Sequence, residues 1–242
     1  MSQYSPQAYA DLHTGMRVIT ADLKTEAGQK ALHRELVKAD ILITSFRPSA
    51  IEKLGLGWKS LHKRYPKLSQ IAIVGSPGAR AEEPGHDLTY LAEKDLITGL
   101  DLPATLYADM GGSLMASEAV LQATLTQLAT GKGVFIEIAL SDAAAYLALP
   151  RDWSLTKPTG TVGGAHAGYG VYACKDGRVV VAALEPHFAK RLCEAACIAV
   201  ADSNAMRSPY TRQSIGDFFQ SQTRRQLDSL AASRDIPLHT LK

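Results

Sequence analysis

Apolar positions in the first part of the chain fall into short runs separated by stretches of helical spacing. Residues 17–23 (RVITADL), 40–44 (DILIT) and 68–74 (LSQIAIV) read as strands. The first does so by its β-branched content, the second because a nearly all-apolar run suits a parallel strand covered on both faces. Ala27, Ala31, Leu32, Leu36 and Val37 recur at helical spacing, which predicts a helix over 25–39 with Thr25 as its cap. Ser45-Phe46-Arg47-Pro48 leads from the second strand into another helix. Strand, helix, strand, helix, strand implies a right-handed α/β layer around a parallel sheet. The polar residues 1–15 read as a loose arm.

The pattern then changes. A turn-rich loop, residues 75–85 (GSPGARAEEPG), delivers the chain to Gly85-His86-Asp87, which opens a short helical run. Residues 101–106 link this run to Ala108-Asp109-Met110-Gly111-Gly112, and a long helix is predicted from Ser113 to about Thr130. Residues 133–139 alternate as a strand, and 142–149 form a short helix. The composition shifts to flexible, Gly-rich sequence over 158–170, which suggests a boundary near 150–165. Beyond it, Asp176-Gly177 between apolar runs signals a hairpin, and Pro186 opens a helix to about Ala196. From Ser208 onward the pattern is polar and helical, with Ile215, Phe218, Phe219, Leu227 and Leu230 as packing residues. The expected organisation is an α/β parallel-sheet domain over 1–155 and a smaller α+β domain over 156–242.

Composition narrows the function classes. Lys plus Arg number 26 against 24 Asp plus Glu, too even a balance to mark a nucleic-acid or anionic-membrane surface. No apolar run approaches bilayer length, and the N-terminus lacks a signal-peptide pattern, so a cytoplasmic protein is expected. Cys174, Cys193 and Cys197 contain no CxxC and read as small buried side chains, although Cys193 and Cys197, four apart on a predicted helix, could be neighbours. No His/Cys/Asp cluster has metal-ligand spacing, and no G-x-G-x-x-G follows a strand.

Two groups that can move protons, His86 and Asp109, each sit at a break in the apolar pattern. Asp109, just before a helix, suits an N-cap at the positive end of the helix dipole, a place that favours an anion or developing oxyanion. Arg47 directly follows the second strand, where ligands of parallel sheets sit, and its guanidinium could grip a phosphate. Each residue also has a plainer role open to it. Asp109 could simply cap a helix, His86 be a first-turn histidine, Asp87 cap the following helix and orient the loop, Arg47 form a surface ion pair, and Glu185 close a turn.

Gly-His-Asp-Leu-x-Tyr-Leu-Ala at 85–92, Ala108-Asp109-Met110-Gly111-Gly112, Asp22-Leu23-Lys24, Phe46-Arg47-Pro48, Leu54-Gly55-Leu56-Gly57, Gly131-Lys132-Gly133 and Ala183-Leu184-Glu185-Pro186-His187-Phe188 together resemble the family III CoA-transferase and α-methylacyl-CoA racemase group. The resemblance covers most of the chain in order. It implies an incomplete Rossmann-like domain, because the family begins with a strand–helix–strand unit ahead of the Asp-Leu-Lys motif. It also implies that His86 and Asp109 are the two proton-transfer residues of the racemase branch, with Glu185 as the acidic partner of the histidine. Arg47 and Pro48 would lie near CoA. Arg17 closes a segment, residues 12–17, that resembles a basic CoA-phosphate loop in which Thr14 and Met16 replace two cations. CoA would enter as part of the substrate, with no separate cofactor, and a homodimer is implied. The transferase branch uses the same aspartate as a nucleophile on the acyl-CoA, but commonly lacks the histidine. A degenerate, non-catalytic member is the third expectation.

Overall fold

Three parallel strands, hydrogen-bonded in the order β1-β2-β3, organise the N-terminal part of the computed structural model, which describes residues 4–199 and 204–242. They are β1 (Ile41–Thr44), β2 (Ser69–Val74) and β3 (Phe135–Ala139). The helices of this part are α1 (Pro6–Leu12), α2 (Glu26–Leu36), α3 (Pro48–Lys53), α4 (Trp58–Arg64), α5 (Asp87–Glu93), α6 (Tyr107–Thr130) and α7 (Leu140–Asp152). Register pairs Ile43 with Ile71 and Ile71 with Ile136. Strand alternation therefore collects isoleucines on one face and Leu42, Thr44, Gln70 and Glu137 on the other.

The isoleucine face packs against α6, where Ile71, Ala119 and Ile138 are buried together with Met115 and Val120 beside them. Small residues on that side of the helix, Gly112, Ala116, Ala119 and Ala123, are all buried and let it approach closely. A second cluster joins Leu36 of α2, Ile51 of α3, Leu61 of α4 and the flanking Leu56 and Leu68, with Leu42 of β1 against it. Thr25 caps α2 as expected, its Oγ1 accepting the Gly28 N–H at 3.1 Å.

Three expectations are corrected here. Residues 17–23 form no strand; Val18 and Ile19 are 55% and 57% exposed, and the third strand of the sheet is β3. β-branched residues favour a strand only where a neighbouring ladder and a surface to pack on exist. The expected loose arm contains α1, which starts with Pro6 at its first position; residues 1–3 lie outside the described residues. The long helix begins at Tyr107, not Ser113, and runs through Gly111 and Gly112. A Cβ on Gly112 would lie 2.3 Å from Leu140 Cδ2, so tertiary packing overrides the poor helix propensity of glycine.

The chain divides into two compact units, Met1–Leu147 and Ala148–Lys242. The second holds an antiparallel sheet of β4 (Tyr169–Cys174), β5 (Gly177–Ala182) and β6 (Leu238–Leu241), with α8 (Pro186–Ala195), α9 (Pro209–Ser221) and α10 (Arg224–Arg234). Val179, Val181, Leu192, Ile215, Phe219, Leu227 and Ile236 are buried in one cluster. β6 interrupts the purely helical pattern expected after Ser208. It also explains Gly177, where a Cβ would lie 2.4 Å from the Leu241 carbonyl oxygen. Cys197 falls beyond α8 at φ 56°, so it is not the helical neighbour of buried Cys193. Among the described residues, no helix is long and apolar enough to cross a membrane.

Candidate active site

The loop after β2 is shaped by one tyrosine. Tyr90 of α5 is buried, and a Cβ on Gly75 or Gly85 would lie 2.2 Å or 2.6 Å from its hydroxyl oxygen. The two glycines at the ends of the loop thus admit the phenol. Arg80 in the loop pairs with Glu83 at 2.9 Å and with Glu93 at 3.0 Å, which ties the loop to the last turn of α5. His86 follows as the N-cap of α5. Its backbone N–H donates to Thr89 Oγ1 at 3.0 Å, and the Thr89 hydroxyl donates back to the His86 carbonyl at 2.7 Å. This reciprocal pair fixes the His86 backbone while the residue stays exposed.

Asp109 is the third residue of α6, not its cap; the cap position belongs to Leu106, which offers no side-chain acceptor. The Asp109 N–H, one of the donors a helix start leaves free, instead donates to Asp87 Oδ1 at 3.0 Å. Asp87 is 5% exposed and is the first residue of α5. One hydrogen bond thus joins two motifs that lie 22 residues apart. Tyr90, Leu91, Ala108 and Ala144 pack around the junction of α5, α6 and α7.

The electrostatics follow from this packing. Burial pushes the Asp109 carboxyl above its ordinary value, the Asp87 charge pushes it further, and His86 opposes both. The Tyr90 phenol is raised by burial, then by the charges of Asp109 and Glu93. His86, Asp87, Tyr90 and Asp109 therefore form one interacting group within the N-terminal unit. Asp109 also borders an open hollow of about 460 Å³ walled by Ile43, Ile73, Gly112, Ser113 and Leu140 among others. Sequence reading passed over Tyr90; the signal was the pair of glycines that flank the loop before it. It assigned Asp87 to the helix it opens, whereas its carboxylate serves α6.

The remaining candidates lie on other elements. Arg47 is the exposed N-cap of α3 and Pro48 its first residue, both at the carboxyl end of β1. The Arg47 charge helps hold Glu82 below its ordinary value, after the larger contributions of the Ser49 N–H and hydroxyl, which donate at 2.6 Å and 2.8 Å. Phe46 and Pro48 border a small hollow of about 110 Å³ that also meets Thr44 and Gln70. Thr44 Oγ1 and Gln70 Oε1 are buried there without a hydrogen-bond partner. Arg17 forms an exposed ion pair with Glu35 of α2. Glu185 belongs to the C-terminal unit, where it is the exposed N-cap of α8 ahead of Pro186. Among the described residues, no group of three or more His, Cys, Asp or Glu is arranged to hold a metal ion.

Comparison with known proteins agrees with the motifs. The family model described as CoA-transferase family III matches residues 2–242. Human alpha-methylacyl-CoA racemase is 30% identical over 195 residues, covering 73% of this chain and 51% of the human protein. Cinnamoyl-CoA:phenyllactate CoA-transferase of Clostridium sporogenes is 29% identical over 156 residues, covering 60% of this chain and 38% of that protein. Among solved structures, a CAIB/BAIF family protein from Brucella suis superposes with a TM-score of 0.78 at 23% identity, covering 94% of this chain and 67% of its own. Rv3272 from Mycobacterium tuberculosis also gives 0.78 at 23% identity, with 93% and 66% covered. The chain thus spans about half the length of the curated racemase it matches.

Proposed function

The chain belongs to CoA-transferase family III, and on that premise we propose that it works at the α-carbon of a 2-methylacyl-CoA thioester. His86 and Asp109 exchange the α-proton. The observation that carries this reading is the Asp109 N–H to Asp87 bond, which couples the start of the helix behind His86 to the start of the helix that bears Asp109.

The α-proton of a thioester is weakly acidic, so its removal needs a positioned base and stabilisation of the enolate oxygen. In the proposed reaction one group takes the proton from one face, the C–H electron pair moves into the enolate, and the other group returns a proton to the opposite face. Inversion results and both groups are reset by exchange with water. An imidazole titrates near neutral pH and suits the first role in either direction. A carboxyl raised by burial and by Asp87 holds a proton more readily than an ordinary aspartate, which suits the other. Arg47, Pro48 and Arg17 are proposed as CoA contacts, the guanidinium groups toward phosphate. CoA enters as part of the substrate and the proton transfers need no resident cofactor.

A second reading keeps the same carboxyl in another role. Asp109 would attack the thioester carbonyl, expel CoA thiolate and form an acyl anhydride, as nucleophilic catalysis. The similarity to a named CoA-transferase and the open hollow beside Asp109 favour it; His86 favours the first. We further propose a cytoplasmic homodimer. The apolar stripe Leu114, Leu121 and Leu128 on α6, 74%, 65% and 77% exposed, supports the dimer, and the free thiols of Cys174 and Cys193 accord with a reducing compartment.

The test is solvent-deuterium incorporation at the α-carbon of a 2-methylacyl-CoA, followed by mass spectrometry. His86→Ala and Asp109→Ala are each expected to slow it by roughly 10²–10⁴-fold. Absence of exchange with acyl-CoA substrates in the folded wild type would overturn the first reading. Hydroxylamine-trapped Asp109 acyl adduct, with no deuterium uptake, would establish the second.

A further inference from the structure

Asp87 does something that neither its position in α5 nor its chemistry as an acid requires. The first N–H groups of α6 have no partners within the helix, and its cap residue, Leu106, has no side-chain acceptor to offer. The acceptor comes from another helix. Asp87 Oδ1 takes the Asp109 N–H at 3.0 Å, and its carboxylate is almost fully buried between the two helix starts. A buried carboxylate is costly unless hydrogen-bonded, and the free donors at a helix start are a favourable partner for it. His86 is the residue before Asp87, and Asp109 itself supplies the bonded N–H. The same bond that satisfies the carboxylate therefore fixes where both proposed proton carriers stand.

We propose that Asp87 is the positioning residue of the proton-transfer pair: its buried carboxylate latches the first turn of α6 to the first turn of α5 and so sets the separation of His86 and Asp109. The inference rests on the proposed reaction for its functional consequence, but the latch is a structural statement of its own. A carboxylate in this place does a second thing that an amide would not. It adds a negative charge beside Asp109, whose other neighbouring titratable groups are His86 and Tyr90. Asn at position 87 would keep an oxygen for the Asp109 N–H and remove that charge; Ala would remove both.

The test uses the full-length chain with Asp87→Asn and Asp87→Ala, read by NMR and by the α-proton exchange assay. In Asp87→Ala the Asp109 amide is expected to exchange with solvent about tenfold or more faster than in wild type, and α-proton exchange to fall by about a hundredfold with KM little changed, as expected of lost alignment. In Asp87→Asn the amide stays protected, while the titration of the Asp109 carboxyl moves down toward its ordinary value and the pH profile of turnover shifts with it. Purely structural loss would lower the melting temperature without that shift. If Asp109 amide protection and carboxyl titration are unchanged in both variants, the latch is wrong. If wild type shows no α-proton exchange while the amide and titration effects appear, the latch stands and the proposed reaction fails. Should Asp87→Ala not fold, Asp87→Asn carries the test alone through the titration.

Discussion

The two units bury their apolar residues differently. The C-terminal unit gathers its buried side chains in one cluster, with Phe219, Leu192, Ile215 and Leu227 at its centre and an antiparallel sheet against it. The N-terminal unit divides its buried residues among several small clusters around a short parallel sheet. It also leaves large apolar side chains exposed on β1 (Ile43), β3 (Phe135) and along α6. Parallel sheets are ordinarily covered on both faces, so the second arrangement calls for further cover. The proposed chemistry resides in this less closed unit. Its loops and helix starts, not its core, hold His86, Asp87 and Asp109. The candidate site thus depends on a few polar junctions, while the C-terminal unit depends on a single packed core.

The largest effect should come from emptying that core. Phe219→Ala should cost about 3–5 kcal/mol, through lost burial and the cavity left behind. Hydrogen exchange should rise across β4, β5 and α9 while the Asp109 amide keeps its protection. Equal loss in both units would mean that they share one stability and that the contrast is false.

A smaller effect should come from the exposed stripe. Leu114→Gln with Leu121→Gln removes no buried contact and should change the stability of the isolated chain by no more than about 0.5 kcal/mol. If the stripe covers a second copy, sedimentation should show self-association weakened by at least about tenfold, since each buried leucine contributes roughly 1.5–3 kcal/mol. An unchanged dimer would place the interface elsewhere, and a wild-type monomer would remove the dimer proposal.

The smallest effects concern pH, where the units should differ in sign. Asp109 is raised in the folded state above its ordinary 3.8, so it binds a proton more readily folded than unfolded. Its contribution favours the fold at acid pH and is lost as pH rises through the raised value. Asp109→Asn should therefore modestly stabilise the protein at neutral pH while removing exchange from the epimer whose proton Asp109 takes. His166 in the C-terminal unit is lowered from 6.5 by burial, then by Arg207 and Arg212. The unfolded chain binds the proton first there, so stability is full above about 6.5 and falls as pH drops toward the lowered value. His166→Asn, which can keep the acceptor for the Gly168 N–H, should flatten that acid decline.

Residue pattern alone located much of this. β1 falls within a predicted apolar run, because a strand covered on both faces leaves a continuous signal, and β2 and β3 fall within the predicted strands 68–74 and 133–139. Thr25 announced α2 because a cap is a local event. The failures are non-local. Residues 17–23 have strand-like composition but no ladder partner, and composition does not report partners. β6 is a short strand that exists because β5 is there to pair with it. Gly111 and Gly112 looked like the end of a loop, yet they lie inside α6, where a Cβ would come within 2.3 Å of Leu140 at Gly112 and 3.3 Å of Ala143 at Gly111. The site followed the same rule: motifs picked out His86 and Asp109, while the carboxylate that joins them acts across 22 residues and left no periodic trace.

His86 and Asp109 are proposed to serve opposite faces of one carbon. The direct measurement is α-proton exchange in deuterium oxide for each pure epimer of a 2-methylacyl-CoA, with wild type, His86→Ala and Asp109→Ala. Wild type should exchange both epimers, and each variant should lose wash-in from the epimer whose proton its missing group removes. Loss of both epimers equally in one variant, with the other unaffected, would contradict it.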